Sequence, residues 1–553
     1  MSRKLAPWLA IMLALSLVLS ACSGTKSQEP TPTQQQEPKK EEPKPAGPKI
    51  LTVGMWSSPS DFNPITNKTS YSTFINGLIY PTLVAMNDQL TFEGRLAEKF
   101  EMNEAQDVFK FHLRKNAKWS DGKPITAHDV AYTYQVIAHP DTPTSRRSLI
   151  DTIEGLDANG VSATKDFNVS GIKVIDDYTI EFHTKTPVDA DAFMEKVPQI
   201  IILPKHKLEE AVKADHKGLD KQPLSQKPTV FGGAFMLVDY KADSHVELAP
   251  NPDYFMGKPK LDKLFFKIVT QANVAASITA GEIDLLTGSG TGEVPITDWE
   301  KVSSLPNYTP VTYVAPSYQY LDFNVQREFF KDPKVRVAFA HAINRKLIVD
   351  RLLKGQGEVI NTPINSANKY FVKELQSKLE YNPAKAKKML EEAGWDFNRE
   401  ITLLTPTGNR VREQSADIIQ ANLQEIGVKV KIEKVEFNVR QARSKEGNFD
   451  FSLVGFSSTF DPDMSAQISS AGAFNDRKYN NPKMDEMLAK GKTIVKFAEK
   501  QAHYKAIQEY FVEELPLLPL YSVNALTVVN KRVVAAKPGP NGLGWNAHLW
   551  DVK

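Results

Sequence analysis

Residues 109–137 read FKFHLRKNAKWSDGKPITAHDVAYTYQVI, and they are the most informative stretch of the chain. In 109–114, apolar and polar residues alternate with the period of two that is typical of a half-buried β-strand. Residues 120–124, Ser-Asp-Gly-Lys-Pro, form a turn sequence, because Gly122 can adopt a positive φ and Pro124 fixes the backbone after it. The sequence therefore predicts a strand that runs into a tight turn.

A helix is predicted directly after this turn. Thr126 precedes Asp129 by three residues, the capping-box spacing that marks a helix start. The helix should end before Pro140, because the residue before a proline avoids the helical conformation. One face of this helix carries a stripe at helical spacing, made of Val130, Thr133, Tyr134 and Ile137. From the residues alone, 109–137 is a strand, a turn and a capped helix, which is a common unit.

Signals for helices and strands alternate along the rest of the chain. Asp332, Asn344 and Asn382 can each cap a helix, and a proline follows the first and the last of them. Residues 401–432 show a strand, an amphipathic helix and a second strand, which is a β-α-β pattern. Another strand, 449–456, leads into a loop. These signals predict an open, mixed α/β sheet with its ligand edge at the strand ends.

The N-terminus has the pattern of an export signal. Arg3 and Lys4 precede an apolar run, 9–19, that is too short for a comfortable membrane span. Residues 19–22, Leu-Ser-Ala-Cys, resemble a lipoprotein cleavage box and contain the only cysteine of the chain. We predict a signal peptide over 1–21 and a diacylglyceryl group on Cys22, in preference to a reactive or dimer-forming thiol.

The mature chain begins with a tether and continues as a large neutral body. Residues 22–49 are rich in Pro, Lys, Glu and Gln and lack large apolar side chains, so we expect disorder. The roughly 500 residues that follow are too many for one core, and at least two domains are expected. The whole chain has a formal charge of +2, with 68 basic and 66 acidic residues, which argues against nucleic-acid binding.

No motif in the chain indicates catalysis or a bound metal. Ser120 and Lys123 have the Ser-x-x-Lys spacing of penicillin-binding proteins, but they fall in a turn and no Lys-Thr-Gly partner exists. The Gly-rich segment 288–292 lacks the spacing and the lysine of a phosphate loop. Asp461 and Asp463 lack the further ligands of a calcium loop, and the ten histidines are scattered. We expect no cofactor, no metal ion and no catalytic residue, so a secreted hydrolase is an improbable rival.

As a string, residues 109–137 resemble the signature of the family 5 extracellular solute-binding proteins. These are the peptide-, dipeptide- and nickel-binding receptors of bacterial ABC importers. The resemblance runs from about residue 50 to 521, and its other matching stretches are 94–98, 251–259, 281–284, 335–345, 479–482 and 515–521. The signature is structural, so it identifies the family and leaves the cargo open.

The resemblance implies a two-lobed periplasmic-binding-protein type II fold with an extra domain inserted in lobe one. Two crossing segments of chain should form a hinge between the lobes. By this analogy the inserted domain spans 91–224 and lobe two spans 323–524. Lobe one is then assembled from 50–90, 225–322 and 525–553.

The resemblance also places the ligand between the lobes, beside the loop that follows Gly455. Many relatives have Trp at the position of Phe456 and, three residues later, an Asp that binds the α-amine of the peptide. Here Thr459 occupies the position of that acid, so Asp461 either takes over the amine or forms an ordinary Asx turn. The candidate contacts from this loop are Phe456, Ser457, Ser458, Thr459 and Asp461.

Two other segments are candidate ligand contacts. Residues 232–235 align with a Gly-Thr-Gly-Pro-Tyr segment of the family, and Gly233, Ala234 and Phe235 should let backbone approach the hinge or the ligand closely. Tyr71 follows the first turn-rich loop, where relatives often line the pocket, and a place in the core is an equal alternative.

The function expected from the sequence is capture of extracellular oligopeptides by a lipid-anchored, monomeric protein that delivers them to an ABC permease. The expected location is the cell surface or the periplasm, on the outer leaflet of the cytoplasmic membrane in a Gram-positive cell. Two alternatives stay open: the same transport role for a nickel chelate, an opine or a sugar, and a peptide-sensing receptor that does not import.

Overall fold

The structure is a computed structural model that describes residues 47–288 and 290–553. The predicted signal peptide, Cys22 and nearly all of the predicted tether lie outside the described residues. Within the described residues the strands, in chain order, are β1 Ile50–Met55, β2 Val84–Met86, β3 Phe92–Gly94, β4 Ala97–Met102, β5 Val108–Leu113, β6 Ile172–Asp176, β7 Thr179–His183, β8 Phe235–Lys241, β9 His245–Pro250, β10 Lys263–Ile268, β11 Leu285–Leu286, β12 Tyr308–Val314, β13 Ser317–Phe323, β14 Gly357–Val359, β15 Glu400–Pro406, β16 Lys429–Val435, β17 Phe451–Ser457, β18 Leu517–Asn530, β19 Val533–Val534 and β20 Asp551–Val552. The α-helices are α1 Ser70–Ile79, α2 Ala127–Ala138, α3 Ala190–Lys196, α4 Lys205–Asp215, α5 Pro223–Gln226, α6 Gln271–Thr279, α7 Trp299–Ser303, α8 Pro333–Ala342, α9 Arg345–Arg351, α10 Pro383–Glu392, α11 Arg410–Glu425, α12 Phe437–Lys445, α13 Ser465–Ile468, α14 Pro482–Thr493 and α15 Phe497–Glu514.

The strand-turn-helix unit forms as the sequence predicts. β5 buries alternate residues, and Gly122 in the following turn has a φ of +88°. Thr126 and Asp129 form the capping box of α2, which ends before Pro140. One detail differs from the prediction: α2 is buried on more than one face, because α4 packs on the side away from the sheet. The Asp129 carboxylate contributes to this packing by accepting the Lys205 N–H at 2.8 Å.

The other predicted elements form as well. β15, α11 and β16 make the β-α-β unit, and the two strands pair in parallel from Glu400 opposite Lys429. The side chains of Asp332, Asn344 and Asn382 each accept an N–H from the first turn of the helix they cap. The mixed α/β class predicted from the sequence is confirmed. No helix within the described residues is both long and apolar enough to cross a membrane.

The main sheet has twelve strands and is organised around one long strand, β18. Its order is β16-β15-β17-β13-β18-β11-β1-β10-β9-β8, with β12 and β14 also paired to β18. The first half of β18 pairs with β13 and β14, and the second half pairs with β12 and, at Val529, with β11. A separate four-stranded sheet, β4-β5-β7-β6, carries the strand-turn-helix unit. One strand therefore belongs to both halves of the main sheet.

Two large hydrophobic cores lie on either side of this shared strand. The first gathers buried residues of 51–285 and 543–552, and the second gathers those of 318–521. We call these parts the first lobe and the second lobe. A smaller third core, between 269 and 528, covers the sheet near β11 and β12. The chain passes between the lobes twice, at 314–317 and at 521–524, and we call these the crossing segments.

The fold is the predicted two-lobed one, and the predicted domain boundaries stay predictions. β13, which begins six residues before the expected start of lobe two, packs into the second core. The first core takes in both β1 and the four-stranded sheet. Within it, the ring of Phe109 in β5 stacks on that of Phe193 in α3, with 3.9 Å between the ring centres.

Candidate functional site

A cavity of about 600 Å³ lies between the two lobes. The first lobe supplies most of its wall, from α1, from the segment 195–201 and from the segment 540–545, while the second lobe contributes Thr459 and Phe460. The apolar part of the wall is formed by Phe74, Leu78, Val84, Met86, Pro198, Ile201, Phe460, Leu543 and Trp545. Most polar side chains of the wall are uncharged, and the two that carry formal charge when ionised are Arg146 and Glu195. An apolar cavity with a few convergent polar groups is the usual form of a ligand site.

The loop after β17 covers the cavity from the second lobe and is held by main-chain contacts. The Ser458 N–H donates to Pro316 O at 2.8 Å, which ties the loop to the crossing segment at 314–317. The Asn368 side-chain amide donates to Phe460 O at 3.0 Å. These bonds place Thr459 and Phe460 at the cavity, because they set the direction in which the chain leaves β17.

Arg146 presents a cation to the cavity from the first lobe. Its Nη2 donates to Thr73 Oγ1 at 2.9 Å and to Asn67 Oδ1 at 2.5 Å, while its Nε has no hydrogen-bond partner among the described residues. Burial lowers the pKa of the guanidinium, although Asp61 opposes that effect. Arg146 therefore brings a positive charge to the cavity wall, while its unpaired Nε N–H is itself buried.

Glu195 presents a carboxyl group to the same cavity. Its Oε2 accepts the Asp461 N–H at 3.1 Å, so it touches the second lobe as well. Burial, with a smaller contribution from the nearby Asp461 carboxylate and an opposing one from Lys369, raises the pKa of Glu195 to about 8. A carboxyl group with this pKa is largely protonated at neutral pH, so it can donate a hydrogen bond as well as accept one.

Asp461, the predicted amine ligand, is engaged on both oxygens. Its Oδ2 accepts from Lys500 Nζ at 3.0 Å, and its Oδ1 accepts the Asp463 N–H at 2.8 Å. The second bond is the Asx turn that was the alternative prediction. The Lys500 side chain is only 4 % exposed and also lies 3.5 Å from Asp189 Oδ1 in the first lobe. A ligand amine at Asp461 would compete with Lys500, so the amine clamp stays a prediction.

Lys500 belongs to a polar contact that joins the lobes at α3. Asp189, the N-cap of α3, and Asp191, in its first turn, come from the first lobe together with Glu195. The Lys369 ammonium pairs with Asp191 on the surface of the same contact. We call this set the α3 contact, and its members are Asp189, Asp191, Glu195, Lys369, Asp461 and Lys500.

The remaining residues of the predicted loop differ in burial and in whether they reach the cavity. Phe456 is half-buried, with its ring 5.4 Å from Phe474 and 6.1 Å from Tyr318. Ser457 is exposed, and Ser458 is bonded through its main chain as described above. Among the loop residues predicted from the sequence, Thr459 is the one that lines the cavity.

The other predicted contacts lie away from the cavity. Gly233 has the predicted close backbone approach, but its neighbour is the end of α1: a Cβ would stand 2.3 Å from Leu78 O. Ala234 lines a separate small pocket in the first lobe, and Phe235 is fully buried. Tyr71 is half-buried against the first core, while other residues of α1 face the cavity. The structure therefore brings Thr459 to the cavity and leaves these four outside its wall.

The cavity also uses residues that the sequence did not indicate, above all Arg146, Glu195 and Trp545. They come from three segments far apart in the chain, and none falls in a spacing pattern. The Ser120 and Lys123 pair does not assemble: Ser120 Oγ accepts the Phe231 N–H at 3.0 Å, and Lys123 Nζ lies 3.9 Å from Asp121. The residues that the structure describes contain no cluster of three or more metal-ligating side chains.

Two lobes, two crossing segments and an apolar cavity between the lobes are the architecture of a solute-binding protein. Residues 91–477 match the bacterial extracellular solute-binding proteins, family 5. The chain belongs to this family.

Individual relatives agree over nearly the whole length. The chain is 30% identical to the oligopeptide-binding protein AppA of Bacillus subtilis over 98% of this chain and 97% of that protein. It is 25% identical to a putative ABC transporter peptide-binding protein of Brucella melitensis, over 90% and 92% of the two chains. A solved structure of Bacillus subtilis AppA in complex with a nonapeptide superposes with a TM-score of 0.71, at 29% identity, over 92% of this chain and 100% of that one.

Proposed function

We propose that this protein captures oligopeptides in the cavity between its lobes and delivers them to the permease of an ABC importer. The observation that carries the proposal is the inter-lobe cavity of about 600 Å³ with apolar walls and few charged groups. This volume falls in the range of roughly 300–1,000 Å³ that small ligands occupy. The full-length likeness to AppA supports a peptide as the ligand.

The composition of the cavity wall suits a ligand with variable side chains. Apolar surface from Phe74, Phe460 and Trp545 can cover side chains of many kinds without demanding one shape. Arg146 and Glu195 supply one basic and one acidic group for the polar ends or the main chain of a peptide. The protein would then recognise the peptide mainly through the peptide's main chain, and the peptide's side chains would occupy roomier parts of the cavity.

The proposal includes a lipid anchor at Cys22 and a monomeric receptor outside the cytoplasmic membrane. Its support is the Leu-Ser-Ala-Cys box at 19–22 and the membership in an extracellular family. The proposed lobe boundaries are those expected from the sequence, with the inserted domain at 91–224. Replacing Cys22 by Ala should abolish incorporation of labelled palmitate, and continued labelling would contradict the anchor.

Native mass spectrometry of the purified mature protein tests the peptide directly. We expect the spectra to show the protein with bound peptides, which are released on partial unfolding. A synthetic peptide of the same mass should then rebind to the refolded protein in calorimetry. Trp545→Ala should weaken rebinding about tenfold or more, since burying a large aromatic side chain against a ligand is worth a few kcal/mol. The control is Phe437→Ala, which removes an aromatic ring of the second lobe that is 49% exposed and lies outside the cavity wall, and this variant should bind like the native protein. Binding of a sugar or a metal chelate in place of peptides would overturn the proposal.

The amine clamp at Asp461 can be tested with the same peptide. N-acetylation removes the charge of the α-amine, and loss of a charge-assisted hydrogen bond would weaken binding roughly tenfold to a hundredfold. Asp461→Asn should then show little further loss with the acetylated peptide. Unchanged binding on acetylation would leave Asp461 as a turn residue that pairs with Lys500.

A further inference from the structure

A second, smaller pocket lies inside the first lobe next to the inter-lobe cavity. Its volume is about 70 Å³, and its wall includes Tyr80, Arg95, Tyr254, Trp545 and His548. We call it the Arg95 pocket. The β3–β4 connection supplies the arginine, the chain just after α1 supplies Tyr80, and the C-terminal segment supplies the tryptophan and the histidine. The function proposed above does not use this pocket.

Arg95 is buried without a negative partner. The residue is 6 % exposed, and no carboxylate of the described residues lies within 4.0 Å of its guanidinium. Its Nη1 donates to the Met256 sulfur at 3.6 Å, which is a weak acceptor, and its Nη2 has no partner within the described part of the chain. Glu93 acts on Arg95 at a distance and not by contact, and its Oε1 accepts from the Asn87 amide at 2.9 Å. Burial of a cation without a contacting negative group is strongly unfavourable, so an anion bound in the pocket would stabilise the site.

Other hydrogen-bond donors converge on the same pocket. The Tyr80 hydroxyl and the Trp545 indole N–H are buried and have no partner among the described residues. Tyr80 is 1 % exposed, and the Arg95 guanidinium lies 5.9 Å from the centre of the Trp545 ring. Burial and, to a smaller extent, the charge of Arg95 lower the pKa of His548 to about 4. The histidine is therefore neutral at pH 7 and adds no second positive charge.

We propose that the Arg95 pocket binds a small monovalent anion, either a halide or a carboxylate. A single negative charge would pair with the guanidinium and accept from the phenol and the indole, so it would satisfy three buried donors at once. A volume of about 70 Å³ admits a halide or a carboxylate group and excludes bulky anions. Water alone could accept these hydrogen bonds, but it would leave the buried positive charge uncompensated.

The anion can come from two sources, because the pocket and the inter-lobe cavity share part of their walls. Gly77, Thr82, Gly544 and Trp545 line both. A free ion from the medium can fill the pocket, or an acidic side chain of the ligand in the cavity can reach into it. The second source rests on the proposed function, and the first does not.

The free-ion arm of the test uses bromide and needs no peptide. Crystals of the mature protein grown or soaked in sodium bromide should show anomalous scattering beside Arg95 Nη2, Tyr80 Oη and Trp545 Nε1. In solution, sodium bromide should raise the unfolding temperature above that in sodium methanesulfonate of the same ionic strength, whose anion is bulkier and has no carboxylate, because a ligand that binds only the folded state stabilises it. No anomalous peak in the pocket, together with equal unfolding temperatures in the two salts, would overturn the proposal.

Variants separate the pocket from general salt effects. Arg95→Met should weaken bromide binding at least tenfold, as expected for loss of a charge-assisted bond, and Tyr80→Phe should weaken it by a smaller factor. The control is Arg399→Met, which removes an exposed arginine of the second lobe and should leave the bromide effect unchanged. If Arg95→Met does not fold, the bromide affinity of Tyr80→Phe tests the proposal, since this variant removes only one oxygen atom and should still fold.

The peptide arm identifies the source. Pairs of peptides that differ by Glu against Gln at one position are compared in the native protein and in Arg95→Met. A preference for Glu that falls about tenfold in the variant assigns the anion to the ligand. An unchanged preference, with bromide still bound when peptide is present, assigns it to the medium. Failure of all peptides to bind would contradict the proposed function and would leave the bromide result standing.

Discussion

The two lobes meet at the crossing segments and at the α3 contact, among other places in the described residues, and the contacts at these two differ in kind. At the crossing segments the contacts are mostly main-chain: β13 and β12 both pair with β18, and the Ala315 N–H donates to Val523 O at 3.4 Å. At the α3 contact they are side-chain ion pairs and one hydrogen bond to Glu195. The first set is continuous with the sheet, whereas the second set joins two surfaces that have no covalent connection there.

This difference indicates which contacts change when the lobes separate. Strand pairs at the crossing segments can persist through a small rotation, because a hinge absorbs the change in a few backbone angles. The α3 contact exists only while the lobes are together. Its free energy therefore contributes to the balance between closed and open states, and a ligand shifts that balance only through contacts that one state has and the other lacks.

The largest expected effect is that of Lys500→Met. Removing the ammonium leaves Asp189 and Asp461 facing each other in a buried contact, and breaking one side of such a pair costs about 3 kcal/mol or more. We expect the peptide dissociation constant to rise about a hundredfold. Calorimetry measures the affinity, and small-angle scattering should show a larger radius of gyration.

The matched control is Lys496→Met, since the Lys496 side chain is 74% exposed and pairs with an exposed glutamate of the same helix. This variant should bind like the native protein. A dissociation constant within about threefold of native for Lys500→Met would show that the α3 contact does not govern closure.

The next effect concerns the crossing segments and should appear in stability rather than in affinity. The Asn365 side-chain amide donates to Ala315 O at 2.8 Å and to Ser522 Oγ at 2.6 Å, so it ties both crossings together. Asn365→Ala should lower the free energy of unfolding by about 1–3 kcal/mol, because it leaves buried acceptors unpaired. Denaturant unfolding measures this, with exposed Asn398→Ala as control. If Asn365→Ala instead weakened peptide binding strongly and left the free energy of unfolding unchanged, the crossing segments rather than the α3 contact would control affinity.

A smaller effect is a pH dependence that comes from Glu195. Burial at the α3 contact, together with the nearby Asp461 carboxylate, holds the pKa of Glu195 at about 8. The second lobe provides part of this environment, so opening should lower the pKa towards its ordinary value, and the closed state then binds more protons than the open state. This contribution to closure is complete below the pKa of the open state and is lost as the pH rises through about 8. A drop of about one unit on opening would make peptide affinity fall roughly threefold to tenfold between pH 6 and pH 8.

Glu195→Gln isolates this titration, because the amide keeps the size and the acceptor oxygen and has no proton to lose. The same peptide is used with both proteins, so titration of its own amine cancels in the comparison. Parallel pH profiles for the two proteins would exclude Glu195 as the titrating group.

The smallest effect should be that of Lys369→Gln. The Lys369–Asp191 pair belongs to the α3 contact, but its two side chains are 40% and 44% exposed. Exposed ion pairs contribute about 0–1 kcal/mol and weaken in salt. Affinity should therefore change about threefold or less in low salt and not measurably in high salt. A loss of peptide affinity comparable to that of Lys500→Met would show that the burial of an ion pair does not determine how much it contributes to closure.

Much of the fold could be predicted because its signals are local. The capping box of Thr126 and Asp129, the positive φ of Gly122 and the Asx caps at Asp332 and Asn382 each act within a few residues. Their geometry follows from the chain around them and persists in the folded protein. The specific order of residues 109–137 also identified the family, and with it the two-lobed architecture.

The candidate site was predicted only in part, because it is built from segments that are distant in the chain. The loop after β17 was located, and Thr459 does reach the cavity. Arg146, Glu195 and Trp545 reach it only because the first core brings their segments to one side of the first lobe. No periodicity or spacing in the sequence encodes such a meeting.

The helices and strands, the class of fold and the family of this protein could be predicted from the sequence alone, since they depend on contacts a few residues apart or on a recognisable string. Which buried charges have a partner follows only from the tertiary structure. Lys500 lies 39 residues from Asp461 and meets Asp189 from the other lobe, whereas Arg95 meets no carboxylate within the described residues. Charges are paired or left unpaired by what folding brings within a few ångströms, and a buried charge must then be compensated there or by a ligand.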